Sequence, residues 1–422
     1  MEHFSWRCSV CATDYGHREA IYTCQECTQE GKLDLVVDYE AAGRGRPPGD
    51  TVGGHPTTMW RYRCLLPVTA QQLAATGVAD KLPIGWTPLH PAYRLGQQLG
   101  LPRLRIKNEA SNLTGSLKDR ASALVAQAAA TMGAHTVATA SSGNAAAALA
   151  GITAAIGLRT ITFVPQRTPP AKTAQLQVFG ANVVVVEGGY DTAVELCWQA
   201  CREWGWYCRT TAVNPFTTEG KKTAALEILE QAGWRAPDAV VVAVGDGNII
   251  TGLHRGFLDA YRMGWVDRVP RLIGVQAATA CAIYDAWRGG QSEVPPGAAE
   301  TVADSIAVGR PQDGFRALRA VRDTGGAMVT VTDGEIRQAM VTVARGSGVF
   351  AEPAGAAAFA ALPALVANGV MRATDDVVVV NTGSGLKAAE MVPQLLPAPS
   401  AAVAPRLKEL AQELRARRLL TV

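Results

Sequence analysis

Lys118 is the residue of this chain best placed for covalent chemistry. It lies in a polar, glycine-containing turn, Asn112-Leu113-Thr114-Gly115-Ser116-Leu117-Lys118-Asp119-Arg120. Residues 104–109 ahead of the turn read as a short strand or its end. Residues 121–127 behind it read as helix, because alanine and leucine dominate. Lys118 therefore falls near a helix N-terminus, where the dipole disfavours a cation. That field, with any desolvation, lowers the amine's pKa and favours a Schiff base with an aldehyde. Alone, such a lysine reads as a surface residue beside an Asp-Arg pair. Three further turns change that reading.

The first is Ser141-Ser142-Gly143-Asn144, between a short strand (137–140) and an alanine-rich helix; its free N–H groups and hydroxyls suit an anion. The second follows the apolar run 240–244. Gly245-Asp246-Gly247-Asn248-Ile249-Ile250-Thr251-Gly252 is a glycine loop opening a helix, a suitable cradle for a phosphate. It is G-x-G-x-x-x-x-G, not the dinucleotide fingerprint, and no Walker A sequence occurs. The third, Thr382-Gly383-Ser384-Gly385-Leu386-Lys387, ends another apolar run, 377–380. Singly, each is an ordinary turn. Together they place small polar residues at the carboxyl ends of parallel strands, where open α/β sheets bind ligands.

The elements that must position these turns follow a strand–helix alternation. Strands are expected at 136–140, 160–165, 183–187 and 207–211, then at 240–244, 272–276, 328–331 and 377–380. Helices of ~10–15 residues between them make the βαβ pattern of a parallel sheet. Residues 36–39 read as an edge strand and 43–54 as loop. Residues 397–405 read as a Pro/Ala linker, and 406–420 as a charged amphipathic helix carrying Leu407, Leu410, Leu414 and Leu419.

The four turns in this order resemble the pyridoxal-phosphate enzymes of the tryptophan synthase β group (fold type II), and within it the threonine synthase family. The resemblance covers roughly residues 60 to 395. Thr114-Gly115-Ser116-Leu117-Lys118-Asp119-Arg120 is similar to the cofactor-lysine motif, with Leu117 where Phe is usual. Trp60-Arg61-Tyr62, Leu66-Pro67, Thr87-Pro88-Leu89 and Glu352-Pro353-Ala354-Gly355 match further segments. The resemblance implies two doubly wound parallel-sheet α/β domains: a larger one (36–122 and 213–396) and a smaller, mobile one (123–212), with 397–422 as linker and C-terminal helix. It implies that Lys118 carries the cofactor as an aldimine, and that Asn144 bonds the ring oxygen. The amides of Gly245, Asp246, Gly247, Asn248 and Ile249 hold the cofactor phosphate, and Thr382 meets the pyridine nitrogen. Thr114, Ser141, Ser142, Gly143 and Thr217 fall to the substrate. A homodimer is typical of the group. The implied activity is a lyase or replacement reaction, O-phosphohomoserine and water giving threonine and phosphate.

Two positions depart from that family. It commonly carries an arginine after the Asn-Pro pair, where this chain has Thr217; Lys172, Lys221 or Lys222 are the substitutes at hand. Its glycine loop usually reads Gly-Asn-x-Gly-Asn, where this chain has Gly245-Asp246-Gly247-Asn248. A desolvated Asp246 facing a phosphorylated substrate repels it. Either Asp246 points away, or the substrate is a different β- or γ-substituted amino acid.

Four of the nine cysteines are patterned: Cys8-x2-Cys11 and Cys24-x2-Cys27, twelve residues apart. That is zinc-ribbon spacing, four thiolates closing a structural site, and a segment of ~30 residues needs such help to fold. A pair of disulfides, or a ribbon without metal, is the alternative. Residues 1–35 form this module; Ala12 and Thr28 stand where glycine usually follows the second cysteine. Cys64, Cys197, Cys201, Cys208 and Cys281 have no ligand spacing, and Cys197 and Cys201 read as core. None of the six histidines (His3, His17, His55, His90, His135, His254) belongs to a hydrolase motif.

Length and composition agree with an enzyme of two or three domains. Hydrophobic content is 48% and formal net charge +3, too mild to argue for nucleic acid or a membrane surface as partner. The N-terminus lacks an apolar signal core, and no apolar run reaches about 18 residues. A cytoplasmic protein acting on a small amino-acid substrate is expected. A zinc-ribbon nucleic-acid binder or a pseudoenzyme are the rivals; the first sits poorly with the charge, the second with the retained Lys118, Asn144 and Thr382.

Overall fold

A computed structural model describes residues 4–16, 22–27, 31–48, 57–211, 213–399 and 402–420. His3, His17, His55 and Thr28 lie outside the described residues, as does most of the expected loop at 49–54. The chain forms two compact units, Met1–Lys387 and Ala388–Val422.

Three sheets organise the first unit. The largest has six strands in the order Ala327–Val331, Arg271–Ala277, Ala239–Ala243, Val377–Asn381, Leu104–Asn108, Leu89–Pro91. Every neighbouring pair is parallel except the last, which is antiparallel. Val377–Asn381 and Ala239–Ala243 are buried at every residue, because helices cover both faces. A four-stranded parallel sheet runs Asn182–Val186, Arg159–Pro165, Thr136–Ala140, Tyr207–Cys208. These strands fall within a residue or two of the expected spans, except that 207–211 shrinks to two residues. The third sheet is small and antiparallel, with Phe4–Cys8 between Asp14–Tyr15 and Leu33–Val37. The edge strand expected at 36–39 thus starts earlier and belongs to the cysteine module.

Strand order in the six-stranded sheet reverses between Ala239–Ala243 and Val377–Asn381. After Ala327–Val331 the chain returns across the sheet to Val377–Asn381, and at such a switch point ligands bind at the carboxyl ends of the strands. The glycine loop and the Thr382 turn follow these two strands directly. The core behind them is formed by the helices Lys118–Thr131, Phe216–Gln231 and Asn248–Arg262, each buried along much of its length.

Cys197, Cys201 and Cys208 are buried in the core beside the four-stranded sheet, as packing residues. His254 is also buried, and burial holds its imidazole neutral with a pKa of about 4. In the second unit, Leu407–Ala416 is helical and shorter than the expected 406–420; Leu407 and Leu410 are exposed. No helix among the described residues is long and apolar enough to cross a membrane.

Candidate active site

Lys118 is the first residue of the helix Lys118–Thr131. Asp119 shapes the turn before it: its carboxylate accepts from the Thr114 amide at 2.6 Å and from the Thr114 hydroxyl. The turn is stitched to the one after Val377–Asn381. The Leu117 amide donates to the Thr382 carbonyl at 3.0 Å, and the Ser384 amide to the Gly115 carbonyl at 3.0 Å. Two segments far apart in sequence are thereby locked together.

A fully buried ion cluster backs this turn. Arg120 donates from Nε to Glu109 (2.7 Å), from Nη1 to Glu227 (2.6 Å) and Thr223 (3.0 Å), and from Nη2 to both carboxylates and Thr87. Lys107 Nζ donates to Glu227 at 2.7 Å. Glu227 also accepts the amides of Trp86 (2.7 Å) and Thr87 (3.2 Å). The Thr87-Pro88 segment, the lysine turn and the helix Phe216–Gln231 meet at this cluster.

The glycine loop faces Lys118. Gly247 has φ +92°, and a Cβ there would lie 2.6 Å from the Asp313 carbonyl, so only glycine fits. Among the described residues, the amides of Gly245, Asp246 and Gly247 have no acceptor. They precede the helix Asn248–Arg262, whose dipole adds to their pull on an anion. The Asn248 side chain is turned away: Nδ2 donates to Thr218 (2.7 Å) and Asp313 (2.8 Å), and Oδ1 accepts from the buried Lys221 amine.

These pieces meet at one pocket lined by Lys118, Asn144, Thr211, residues 243–250, Ser305, Ile306, Glu352, Ala354 and Thr382. Burial, then the nearby Arg209 charge, lowers the Lys118 amine to about 8, while Glu352 and Asp246 oppose the shift. Burial, with Asp313 close by, raises the Asp246 carboxyl to about 7, even though Oδ1 accepts the Gln312 amide at 2.7 Å. Burial also raises Glu352. Its carboxylate accepts both contacts of the Asn144 amide (2.8 and 2.9 Å), and Asn144 Oδ1 accepts from Lys387 at 2.9 Å.

All eight residues expected around a cofactor line this one pocket: Lys118, Asn144, Gly245, Asp246, Gly247, Asn248, Ile249 and Thr382. The substrate set is divided. Ser141, Ser142 and Gly143 form a half-buried turn immediately before Asn144 but do not line the pocket. Thr217 does not reach it either; it is 0% exposed, and its hydroxyl donates to the Asn214 carbonyl at 2.8 Å, just ahead of its own helix. Thr114 is held by Asp119. Of the three substitute lysines, Lys222 is buried against Glu219 (2.6 Å) and Asp259 (2.8 Å), Lys172 pairs with exposed Asp304, and Lys221 sits behind the loop. Asp246 is part of the pocket wall, and its carboxylate accepts the Gln312 amide. Glu352, Thr211 and Ser305 were not expected in this lining, nor was Arg209, which lies outside it and bonds to Thr211. Only Glu352 carried a signal, an acid before proline at a helix entrance.

The four patterned cysteines come together, their sulfurs all within 4.8 Å of one another. Four thiolates at ~2.3 Å from one zinc ion in a tetrahedron would be about 3.8 Å apart, so the cluster fits such a metal. Amides of Val10 and Cys11 point at Cys8 Sγ, and that of Cys27 at Cys24 Sγ, each at 3.4 Å. Ala12 takes φ +61°, the left-handed conformation for which glycine is usual. All nine cysteines are free in this structure. The module is tied to the pocket through Asp34, which pairs with Arg255 (3.1 Å), Arg316 (2.9 Å) and Arg319 (3.0 Å). Arg316 Nε also donates to Asp313 at 2.5 Å, and Asp313 holds Asn248.

A helix-opening loop with free amides, a lysine of lowered pKa and a neutral hydroxyl at Thr382 define a site for an aldehyde cofactor bearing a phosphate. The comparisons agree. The profile of the family described as pyridoxal-phosphate dependent enzyme matches residues 81–383, and the chain belongs to that family. Threonine synthase of Methanosarcina acetivorans is 35% identical over 383 residues, covering 90% of this chain and 91% of that protein. Threonine synthase of Mycobacterium tuberculosis is 33% identical, covering 84% and 96%. Among solved structures, diaminopropionate ammonia lyase from Escherichia coli has a TM-score of 0.65 at 17% identity, covering 83% of this chain and 96% of that one. The processed form of threonine deaminase isoform 2 from Solanum lycopersicum has 0.64 at 22%, covering 84% and 99%. These two likenesses establish the fold: fold type II, with parallel-sheet α/β architecture.

Proposed function

We propose that this pyridoxal-phosphate dependent enzyme is threonine synthase-like, converting O-phosphohomoserine and water to threonine and phosphate. The observation that carries the reading is the Lys118 amine, lowered to about 8 and facing the glycine loop with open amides. The threonine synthases among its relatives, similar over nearly their whole length, support the same reaction. When bound, pyridoxal phosphate supplies an electron sink for negative charge at the substrate Cα. The amides of residues 245–249 would hold its phosphate, Thr382 would face its ring nitrogen, and Lys118 its aldehyde carbon. Asn144 would reach the ring oxygen by exchanging its bond with Glu352. Ser141, Ser142 and Gly143 would bind the substrate carboxylate by shifting inward, with block 123–212 moving as the smaller domain against the larger one.

In this reading the Lys118 amine would remove the substrate Cα proton as general base. The same amine then carries protons between carbons as phosphate leaves Cγ and water adds at Cβ. Thr382 offers a hydroxyl and not a carboxylate, so nothing there enforces a charged ring; that favours elimination and replacement over transamination. Cys8, Cys11, Cys24 and Cys27 would hold a structural zinc ion. The enzyme would act as a cytoplasmic homodimer, and nine free thiols suit a reducing compartment.

A second reading draws on Asp246. An acid in the pocket wall favours a β- or γ-substituted amino acid without a phosphate, handled by lyase or replacement chemistry. One assay separates the two: holoenzyme with O-phosphohomoserine, following phosphate and threonine together. Equimolar release supports the synthase reading. No turnover by cofactor-loaded protein rejects it and favours the second.

A further inference from the structure

Next to Thr211, a residue of the pocket wall, lies a buried cation to which the sequence analysis assigns no role. Arg209 stands just past the strand Tyr207–Cys208, at the carboxyl end of the four-stranded sheet. It is 0% exposed. Its Nε lies 3.4 Å from the Ser122 hydroxyl, one helical turn beyond Lys118, and its Nη1 donates to the Thr211 hydroxyl at 2.6 Å. Thr211 lines the pocket together with Lys118. The guanidinium is therefore held between the helix that begins at Lys118 and a residue of the pocket wall. Nη2 is buried with no hydrogen-bond partner among the described residues. A buried guanidinium nitrogen without an acceptor is costly and marks a place where an acceptor is missing.

The surrounding charges agree. Among the described residues no carboxylate bonds to Arg209, and its charge acts on Lys118 more strongly than that of Glu352 or of Asp246. Thr217, at the position where an arginine would have met the substrate phosphate, is buried in its own helix. Guanidinium groups bind phosphate oxygens through two parallel N–H donors.

We propose that Arg209 is the receptor for the substrate's own phosphate, with Nη2 as the donor and Thr211 as the residue that positions the guanidinium. This rests on the phosphorylated-substrate reading above and supplies the cation that Thr217 lacks. It also explains how Asp246 is tolerated in the wall: the opposing positive charge is already built in and held rigid.

The test uses inorganic phosphate as probe and holoenzyme saturated with cofactor, so that the cofactor's phosphate cradle is filled. Phosphate affinity, by calorimetry, should fall roughly 10- to 100-fold in Arg209→Met, the loss expected for a hydrogen bond between charged groups. Arg209→Lys should keep part of it. The spectral response to L-threonine, which carries no phosphate, should persist in both. Wild-type phosphate affinity in Arg209→Met, or no phosphate binding by wild-type holoenzyme, would overturn the proposal. Should Arg209→Met lose its bound cofactor through misfolding, Thr211→Val carries the test: it removes only the Nη1 acceptor, and unaltered phosphate affinity there and in Arg209→Lys would also overturn it. The two claims fail separately. Arg209-dependent phosphate binding without threonine formation leaves Arg209 standing and removes the synthase reading; threonine formation with Arg209-independent binding does the reverse.

Discussion

Replacing Arg120 by methionine probes the foundation of the active-site turn. Arg120 is two residues past Lys118, fully buried, and bonded to Glu109, Glu227, Thr87 and Thr223. Glu227 would keep Lys107 (2.7 Å) and two backbone amides. Glu109 would keep only the neutral Thr87 hydroxyl (2.7 Å) and Asn112 amide (2.9 Å) among its side-chain contacts. One buried carboxylate is thus left without a cation, and removing one partner of a buried pair costs about 3–5 kcal/mol. Against a total stability of roughly 5–15 kcal/mol, that is a large fraction. Denaturant unfolding followed by both fluorescence and cofactor absorbance is the assay. Cofactor should be lost before global unfolding, because Arg120 anchors the lysine turn. Adding Glu109→Gln should recover part of the loss, since it removes the unpaired charge. A loss below about 1 kcal/mol, or no recovery in the double variant, would refute the reasoning. The pH dependence has a definite sign. Burial pushes Glu227 up, but Arg120 and Lys107 prevail and hold it near 2, below its ordinary 4.5. Its contribution is complete above pH 4.5 and disappears as pH falls toward 2, so the variant should unfold at a higher pH than wild type.

Three further outcomes follow from the geometry. Capture of pyridoxal phosphate by apoenzyme needs neutral Lys118, so its rate should climb with pH and level off above about 8; a rate still climbing about tenfold between pH 8 and pH 9 would mean an unperturbed lysine. Asp34→Asn should leave Arg255, Arg316 and Arg319 without their shared partner, loosen Asp313 and Asn248, and weaken cofactor affinity measured by absorbance titration; unchanged affinity would mean that the cysteine module and the pocket are uncoupled. Purified protein should contain one zinc ion per chain by elemental analysis, and Cys24→Ser should lose it together with thermal stability, whereas a metal-free wild type would refute the structural site.

Much of the site was legible because strand and turn signals are local. Runs such as Val377-Val378-Val379-Val380 admit little but a strand buried on both faces, and the small polar residues after them must then stand at its carboxyl end. Lys118, the glycine loop and Thr382 follow from that rule. The cysteine spacing was legible for the same reason. What stayed hidden depends on long-range pairing. Nothing near Arg209 shows that it will lie against a helix that begins at Lys118, because the four-stranded sheet makes that contact. Glu352 meets Asn144 across a separation of 208 residues. Thr217 was placed by analogy with a substrate contact, but a threonine near a helix start can bond its own backbone, and it does so here. The C-terminal helix was legible from its charges and leucines, but its length was not, since helix ends lack strong signals where no cap residue stands.

The central claim is that four separated turns assemble one site around Lys118. Borohydride reduction of the purified holoenzyme, followed by proteolysis and mass spectrometry, tests it most directly. Two other amines with lowered pKa, Lys221 and Lys387, lie beside the same pocket through their bonds to Asn248 and Asn144 and serve as internal controls. The account predicts that the reduced cofactor is found on the peptide carrying Lys118 and on no other. Cofactor on Lys221 or Lys387, or none on any lysine, would contradict it.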